Sequence, residues 1–415
     1  MAVIKPFKGL RPKPEYAEQV ACRPYDVLNS VEARKEAGDN SLSFLHVCKP
    51  EIDLPKDIDA YSQEVYNKGK ENLNKLIADG VMVQDEKANM YVYRQIMNGH
   101  SQVGLVANSS IDDYFNDVIK KHEFTRPVKE NDRINHMATL ECHPEPVFLT
   151  YQDVPELDHI MEDTVQKTPV YDFTADDGIQ HTFWVIEDDS VINLIEELFK
   201  EKVPYTYIAD GHHRSASSAK VGQQLREKTI GYTGEEPFNF FLSVLFPANQ
   251  LMIMDYNRVV TDLNGHPPMD LFRKLSEHFQ IEHIGTDPYK PQKLHEFGLY
   301  YDKHWYKLIA MPHTYDDSDP LKVLDVTVMS DYILDPILGI KDQRTDKRID
   351  FVGGIRGLEE LEKRVDEGDM ELAIALYPVG IQQLINISDS GNVMPPKSTW
   401  FEPKLRSGLV VHLYN

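Results

Sequence analysis

The sequence is short of cysteine and of positive charge, and it has no long apolar run. Its three cysteines, Cys22, Cys48 and Cys142, lie far apart with no Cys-x-x-Cys pair. That spacing argues against a disulfide framework and a zinc ribbon, and it predicts reduced, buried thiols. Lys and Arg total 44 against 67 for Asp and Glu, and the formal charge of -23 repels polyanions within the screening length. Nucleic acid and anionic membrane are therefore not the expected partners. No apolar stretch approaches the ~20 residues of a membrane-spanning helix. The opening MAVIKPFKGLRPKP has no apolar core of signal-peptide type, so a cytoplasmic protein is expected. Internal repeats and low-complexity segments are also missing, which excludes solenoid and linker-rich architectures.

What is present is a folded chain with more residues than one core usually needs. With 415 residues, two lobes are the default. The Pro- and acid-rich HPEPVFLTYQDVPELD suggests a division at residues 150–165. A lobe of residues 1–160 would then contribute the RPYD and KKHEFTR segments, and one of residues 161–415 the ADGHHR and MPPKST segments. MYVYRQIM, Asn98-Gly99 and SQVGLVA form a hairpin signal. Ser110 with Asp113 resembles a capping box opening a helix through YFNDVIKKHE. Strands are expected at PVFLTY, HTFWVI, FNFFLSVLF, LMIMDY, GLYYDKHWYKLIAM, ELAIALYPV and LVVHLY. Helices are expected at VINLIEELFKEK, after Gly211, and at MDLFRKLSEHF, GLEELEKRVDEG and IQQLINIS. Hairpins mixed with helix-separated strands define an α+β fold of mixed sheets.

Four stretches gather polar side chains of the kind used in chemistry. The most telling is YIADGHHR, where a β-branched and aromatic run meets SASSAKVGQQLREK, a sequence of small residues and helix formers. The result is a strand, a turn at Gly211 and a helix whose first amides carry partial positive charge, a ready phosphate site. Asp210, His212, His213 and Arg214 occupy the turn, and each needs a partner, a ligand or solvent there. Adjacent histidines are not spaced to chelate one metal, so His212 and His213 are read as having different jobs; zinc would need His122 or His136 to join one of them. The second stretch, KKHEFTRPVKENDR, carries Lys121, His122, Glu123, Thr125, Arg126, Lys129, Asp132 and Arg133. A third, CRPYDVLN, carries Arg23 and Asp26, and the fourth, MPPKSTWFEPK, carries Lys397, Ser398 and Thr399. The bland alternatives are a solvated helix end, a surface ion pair and a capping loop.

ADGHHRSASSA resembles the phosphate-binding turn of the ParB/sulfiredoxin-like superfamily. The stretch from RPYDVLNSVEAR through KKHEFT and ADGHHR to MPPKSTWFEPKLRSGLV is similar to the family of domain of unknown function 1015. The resemblance implies a ParB/sulfiredoxin-like nucleotide-binding core embedded in a larger two-lobed chain, with nucleotide phosphate chemistry at the turn. Asp210, Gly211, His212 and Arg214 match the signature turn, and His213 fills its variable position. One branch of the superfamily phosphorylates free L-serine and uses a glutamate base, for which Glu123 is the counterpart expected here.

The resulting expectation is a phosphotransferase acting between ADP or ATP and a small hydroxyl substrate, with serine or phosphoserine the best candidate, in the kinase, reverse or phosphatase direction. Glu123, Asp210, His212 and His213 are the expected catalytic groups. Gly211, His212, Arg214, Arg126 and Lys129 are expected to bind phosphate, and Arg23, Asp26, His122, Thr125, Lys397, Ser398 and Thr399 the substrate. Asp210 or Glu123 could hold Mg2+. The alternative is a non-catalytic nucleotide-binding regulator of ParB type. All of these segments are expected to share one pocket, and Arg214→Ala and His212→Ala to lower activity without disturbing the fold.

Overall fold

The computed structural model describes residues 1–414 and divides into two units. One comprises residues 1–251 with the terminal residues from Pro403 onward, and the other residues 252–402. The expected division at residues 150–165 is corrected. That stretch runs through a strand and a helix inside the first unit, whose central sheet takes strands from both sides of it.

The sheet of the first unit contains β1 (Ile4–Lys5), β2 (Met90–Met97), β3 (His100–Ser110), β4 (Ile119–Lys120), β5 (Val147–Tyr151), β6 (Tyr171–Thr174), β7 (Gln180–Ile186), β8 (Thr206–Asp210) and β9 (Phe240–Pro247). Their spatial order is β4-β8-β5-β9-β3-β2-β7-β6, with β1 on β3. β8 runs parallel to β4 and antiparallel to β5, whereas β9 is parallel to β5, so the sheet is mixed as expected. VFLTY in β5 is buried throughout, because a central strand covered on both faces needs a continuous rather than alternating apolar pattern. The Asn98-Gly99 hairpin forms with both turn residues at positive φ, 50° and 81°.

Four helices position the polar stretches: α1 (Ser30–Ala37), α2 (Gln63–Ala78), α3 (Pro127–Leu140) and α4 (His212–Lys228). α4 packs on α3 through the small residues beyond the turn. Ser215, Ala216, Ser217, Ser218 and Ala219 are all buried, and Ser217 Oγ donates to the Glu130 carbonyl of α3 at 3.0 Å. Small side chains at this face let the two helices approach closely, which carries the start of α3 to the start of α4.

The helix expected through YFNDVIKKHE is corrected. It covers only Ile111–Phe115, capped by Ser110 Oγ accepting from the Asp112 amide at 3.2 Å. Asp117 at φ 57° breaks it, and the β-branched Ile119 then pairs with Thr206 in the sheet. KKHEFTR consequently lies where a helix begins, not where one ends.

The second unit holds a six-stranded sheet of β10 (Tyr256–Val260), β11 (Phe279–Gly285), β12 (Glu296–Tyr301), β13 (His304–Ala310), β14 (Ile349–Gly353) and β15 (Leu372–Leu376), in the order β11-β13-β12-β15-β10-β14. GLYYDKHWYKLIAM forms a hairpin and not one strand, since Asp302 and Lys303 both adopt positive φ and turn the chain. Among the described residues, no helix is long and apolar enough to cross a membrane.

Candidate functional site

A register shift between Ile208 and Asp210 breaks the β8 to β5 ladder, whose last pair sets Asp210 opposite Phe148 just before the turn. Gly211 comes next at φ 97° and ψ 34°, the left-handed region that side chains other than glycine rarely enter. A Cβ on Gly211 would stand 3.1 Å from Arg214 Nε and 3.2 Å from Cζ. The missing side chain therefore makes room for the Arg214 guanidinium, in addition to any ligand. No side chain caps α4, so its first amides are left to solvent or to an anion.

Arg214 is 2% exposed, which changes its expected role. One terminal nitrogen donates to the Pro146 carbonyl, and the other donates to Asp210 Oδ2 at 2.8 Å and lies 3.7 Å from Asp26 Oδ2. Burial alone would lower its proton affinity, but Asp26, Asp210 and Glu145 outweigh that and keep it charged. Its work is to brace the turn from below. Asp210 Oδ1 takes Lys404 Nζ at 3.3 Å, so both carboxylate oxygens carry cations. Burial would raise the Asp210 pKa, yet Lys404 and Arg214 pull it well below the usual carboxylate range. A carboxylate held so firmly in its charged form is a poor proton acceptor, which removes Asp210 from the expected catalytic bases.

The segment 122–126 closes on the turn from the other side. The His122 amide donates to His212 Nε2 at 3.5 Å, and the Arg126 amide donates to His213 Nε2 at 2.9 Å. The rings of His122 and His212 meet edge to face, with centroids 4.4 Å apart. A neutral imidazole has one donor and one acceptor nitrogen, so a backbone N–H donating to Nε2 places the ring hydrogen on Nδ1. Burial pushes His122 down to about 3 and His212 down to about 4, and it also lowers His213 despite the opposing pull of Glu123 and Asp26. All three rings are therefore neutral at pH 7. His212 and His213 therefore each carry the ring hydrogen on Nδ1.

The N-terminus of α3 reaches the same place. Arg126 is its N-cap residue, no side chain caps it, and Lys129 lies in its first turn. Arg126 and Lys129 set two cations at the positive end of the helix, and Glu130 supplies a carboxylate in the same turn. Thr125 is turned inward, its hydroxyl donating to Glu130 Oε2 at 2.7 Å. Glu130 also carries Lys220, which ties this loop to α4.

Beneath the turn lies a network only partly visible in the sequence. The Tyr25 amide and the Ser407 hydroxyl donate to Glu145 Oε1 at 3.1 Å and 3.0 Å, and the Arg133 guanidinium sits 4.1 Å above the Tyr25 ring. Arg133 also pairs with Asp132, which accepts from Tyr66 of α2 at 3.0 Å. This framework fixes RPYD so that Asp26 faces Arg214. Arg23 does not join it. Its guanidinium turns to Glu36 of α1 in a surface ion pair, with Nε 2.6 Å from the carboxylate.

Lys397, Ser398 and Thr399 belong to the second unit. Ser398 Oγ donates to the Pro395 carbonyl at 2.6 Å, and Lys397 Nζ lies 5.7 Å from the Tyr256 ring centre. The fourth stretch contributes instead through Lys404, seven residues beyond Lys397 and within the first unit. Its sequence signal was a lysine flanked by proline in a segment already singled out. Glu145 was hidden in HPEP, read as a boundary. Among the described residues, no group of three or more His, Cys, Asp or Glu is arranged to hold a metal ion. Both oxygens of the Asp210 carboxylate carry a cation, Arg214 on one and Lys404 on the other.

Fold and site together define an α+β protein with a strand–turn–helix junction at Gly211 whose helix start carries no side-chain cap. The chain belongs to the family described as protein of unknown function (DUF1015), whose model matches residues 4–327. No curated protein matches it. Among solved structures it is similar to SbnI with C-terminal truncation from Staphylococcus aureus, at 9% identity and a TM-score of 0.38 over 73% of this chain and 85% of that one. It is likewise similar to a free serine kinase in complex with AMP, at 12% identity and a TM-score of 0.36 over 72% and 86% of the two chains. A conserved hypothetical protein from Pyrococcus furiosus is similar at 13% identity, with a TM-score of 0.34 over 72% and 90%.

Proposed function

We propose that the first unit, with a ParB/sulfiredoxin-like core at its turn, binds the phosphates of ADP or ATP and exchanges a phosphoryl group with a small hydroxyl substrate, free serine or phosphoserine. The observation that carries this reading is the pair of imidazoles fixed as Nδ1–H donors at an uncapped helix start. Such donors need no reorganisation when phosphate arrives, and preorganisation is what phosphoryl transfer asks of a protein. Arg126 and Lys129 neutralise the outer phosphate oxygens. Asp26, exposed and 3.7 Å from Arg214, offers a carboxylate to the substrate ammonium. In the kinase direction Glu123 takes the hydroxyl proton as the new O–P bond forms and the terminal phosphoanhydride bond of the nucleotide breaks. Lys397, Ser398 and Thr399 have no part in this reading.

Thermal denaturation with ADP, with phosphoserine and with both tests it. Ligands that occupy one site cooperatively should raise Tm together by more than the sum of their separate shifts. ADP stabilisation unaffected by phosphoserine would instead favour the nucleotide-binding regulator.

A further inference from the structure

The segment clamped over the turn carries an aromatic side chain that the phosphate chemistry leaves unused. Phe124 is 70% exposed, and Val128, in the first turn of α3, is 65% exposed. Phe124 lies at the apex of a five-residue loop whose two ends are fixed to the site. The His122 amide is bonded to His212, and the Arg126 amide to His213. Each anchor is two residues from Phe124, so its Cα lies within ~7 Å of both. Arg126 follows it by two residues and Lys129 by five, and the backbone on either side of it is tied to the two histidines that open α4. A phosphate group alone has no use for an aromatic ring.

We infer that Phe124 is the platform on which the base of the bound nucleotide stacks, so that the loop 122–126 reads both ends of the ligand. Phosphate is taken by the turn that the loop's anchors organise, and the base by the loop's apex. Stacking suits this position because any purine or pyrimidine presents a π face, and an aromatic side chain loses little freedom in using it. The apex would then select nucleotides over inorganic phosphates of equal charge. This inference rests on the phosphate reading of the turn.

Calorimetric titration of the full chain and of Phe124→Ala and Phe124→Trp with ADP and with inorganic pyrophosphate separates the two ideas. Phe124→Ala should weaken ADP binding ~10-fold or more while leaving pyrophosphate unchanged, and Phe124→Trp should keep or tighten ADP, since one stacked base is commonly worth at least that factor. If Phe124→Ala binds ADP as tightly as the parent, the stacking role is wrong while the phosphate site stands. Equal losses for both ligands would make Phe124 a prop for the loop, which also overturns the inference. Failure of the parent to bind either ligand would remove the phosphate reading, and the stacking role with it.

Discussion

Arg214→Ala is expected to lower the free energy of unfolding by ~3–5 kcal/mol, because it removes one partner from a buried ionic cluster and leaves the other charges uncompensated. Arg214 is 2% exposed, supports the Pro146 carbonyl, and balances Asp210 and Asp26. Without it, Asp210 keeps only its ion pair with Lys404. Activity would disappear as well, but through collapse of the turn and not through loss of a phosphate contact. The sequence-level expectation of an intact fold is therefore revised. Arg214→Lys should not rescue fully, since an ammonium cannot serve the Pro146 carbonyl and the Asp210 carboxylate with the planar fork they now share. Urea denaturation of both variants measures this. A loss below ~1 kcal/mol for Arg214→Ala, the range of an exposed ion pair, would mean that Arg214 is not a brace.

His213→Ala has the larger expected effect on chemistry with little effect on the fold, because the ring is only partly buried. Removing one preorganised donor should cost ~100-fold in the rate of phosphoryl transfer. The tautomer makes a sharper claim than the loss itself. In His213→Asn the amide nitrogen can stand where Nδ1–H stands, whereas the amide of His213→Gln reaches only the Nε2 position. His213→Asn should therefore keep much of the activity and His213→Gln should resemble His213→Ala. The reverse order, read from kcat at saturating nucleotide, would show that Nε2 and not Nδ1 faces the ligand.

The strand, the turn and the helix at residues 206–228 were legible because local rules coincide there. A β-branched run, a glycine and a stretch of helix formers leave few alternatives. The approach of KKHEFTR to that turn was expected from charge, and its backbone contacts with His212 and His213 bring it there. What could not be read was direction. Arg214 looked like a ligand contact, yet Gly211 lets its guanidinium fold back beneath the turn. Arg23 and Asp26, three residues apart, face different partners because a short helical turn at Tyr25–Val27 separates them. Lys404 was passed over for Lys397 since both sit in one proline-rich stretch, and only the three-dimensional partition puts Lys404 with Asp210. The pairing of Asp26 with Arg214 and of Lys404 with Asp210 spans more than a hundred residues of chain, which no local pattern encodes.

The central claim is that this chain moves phosphate between a nucleotide and a hydroxyl amino acid at the Gly211 turn. The direct measurement incubates the pure protein with phosphoserine labelled in its phosphate and with ADP, and tracks where the label goes. The account predicts serine together with label in ATP, from the parent protein and not from His213→Ala. Label that remains in phosphoserine, from a parent protein shown by calorimetry to bind ADP, would contradict it.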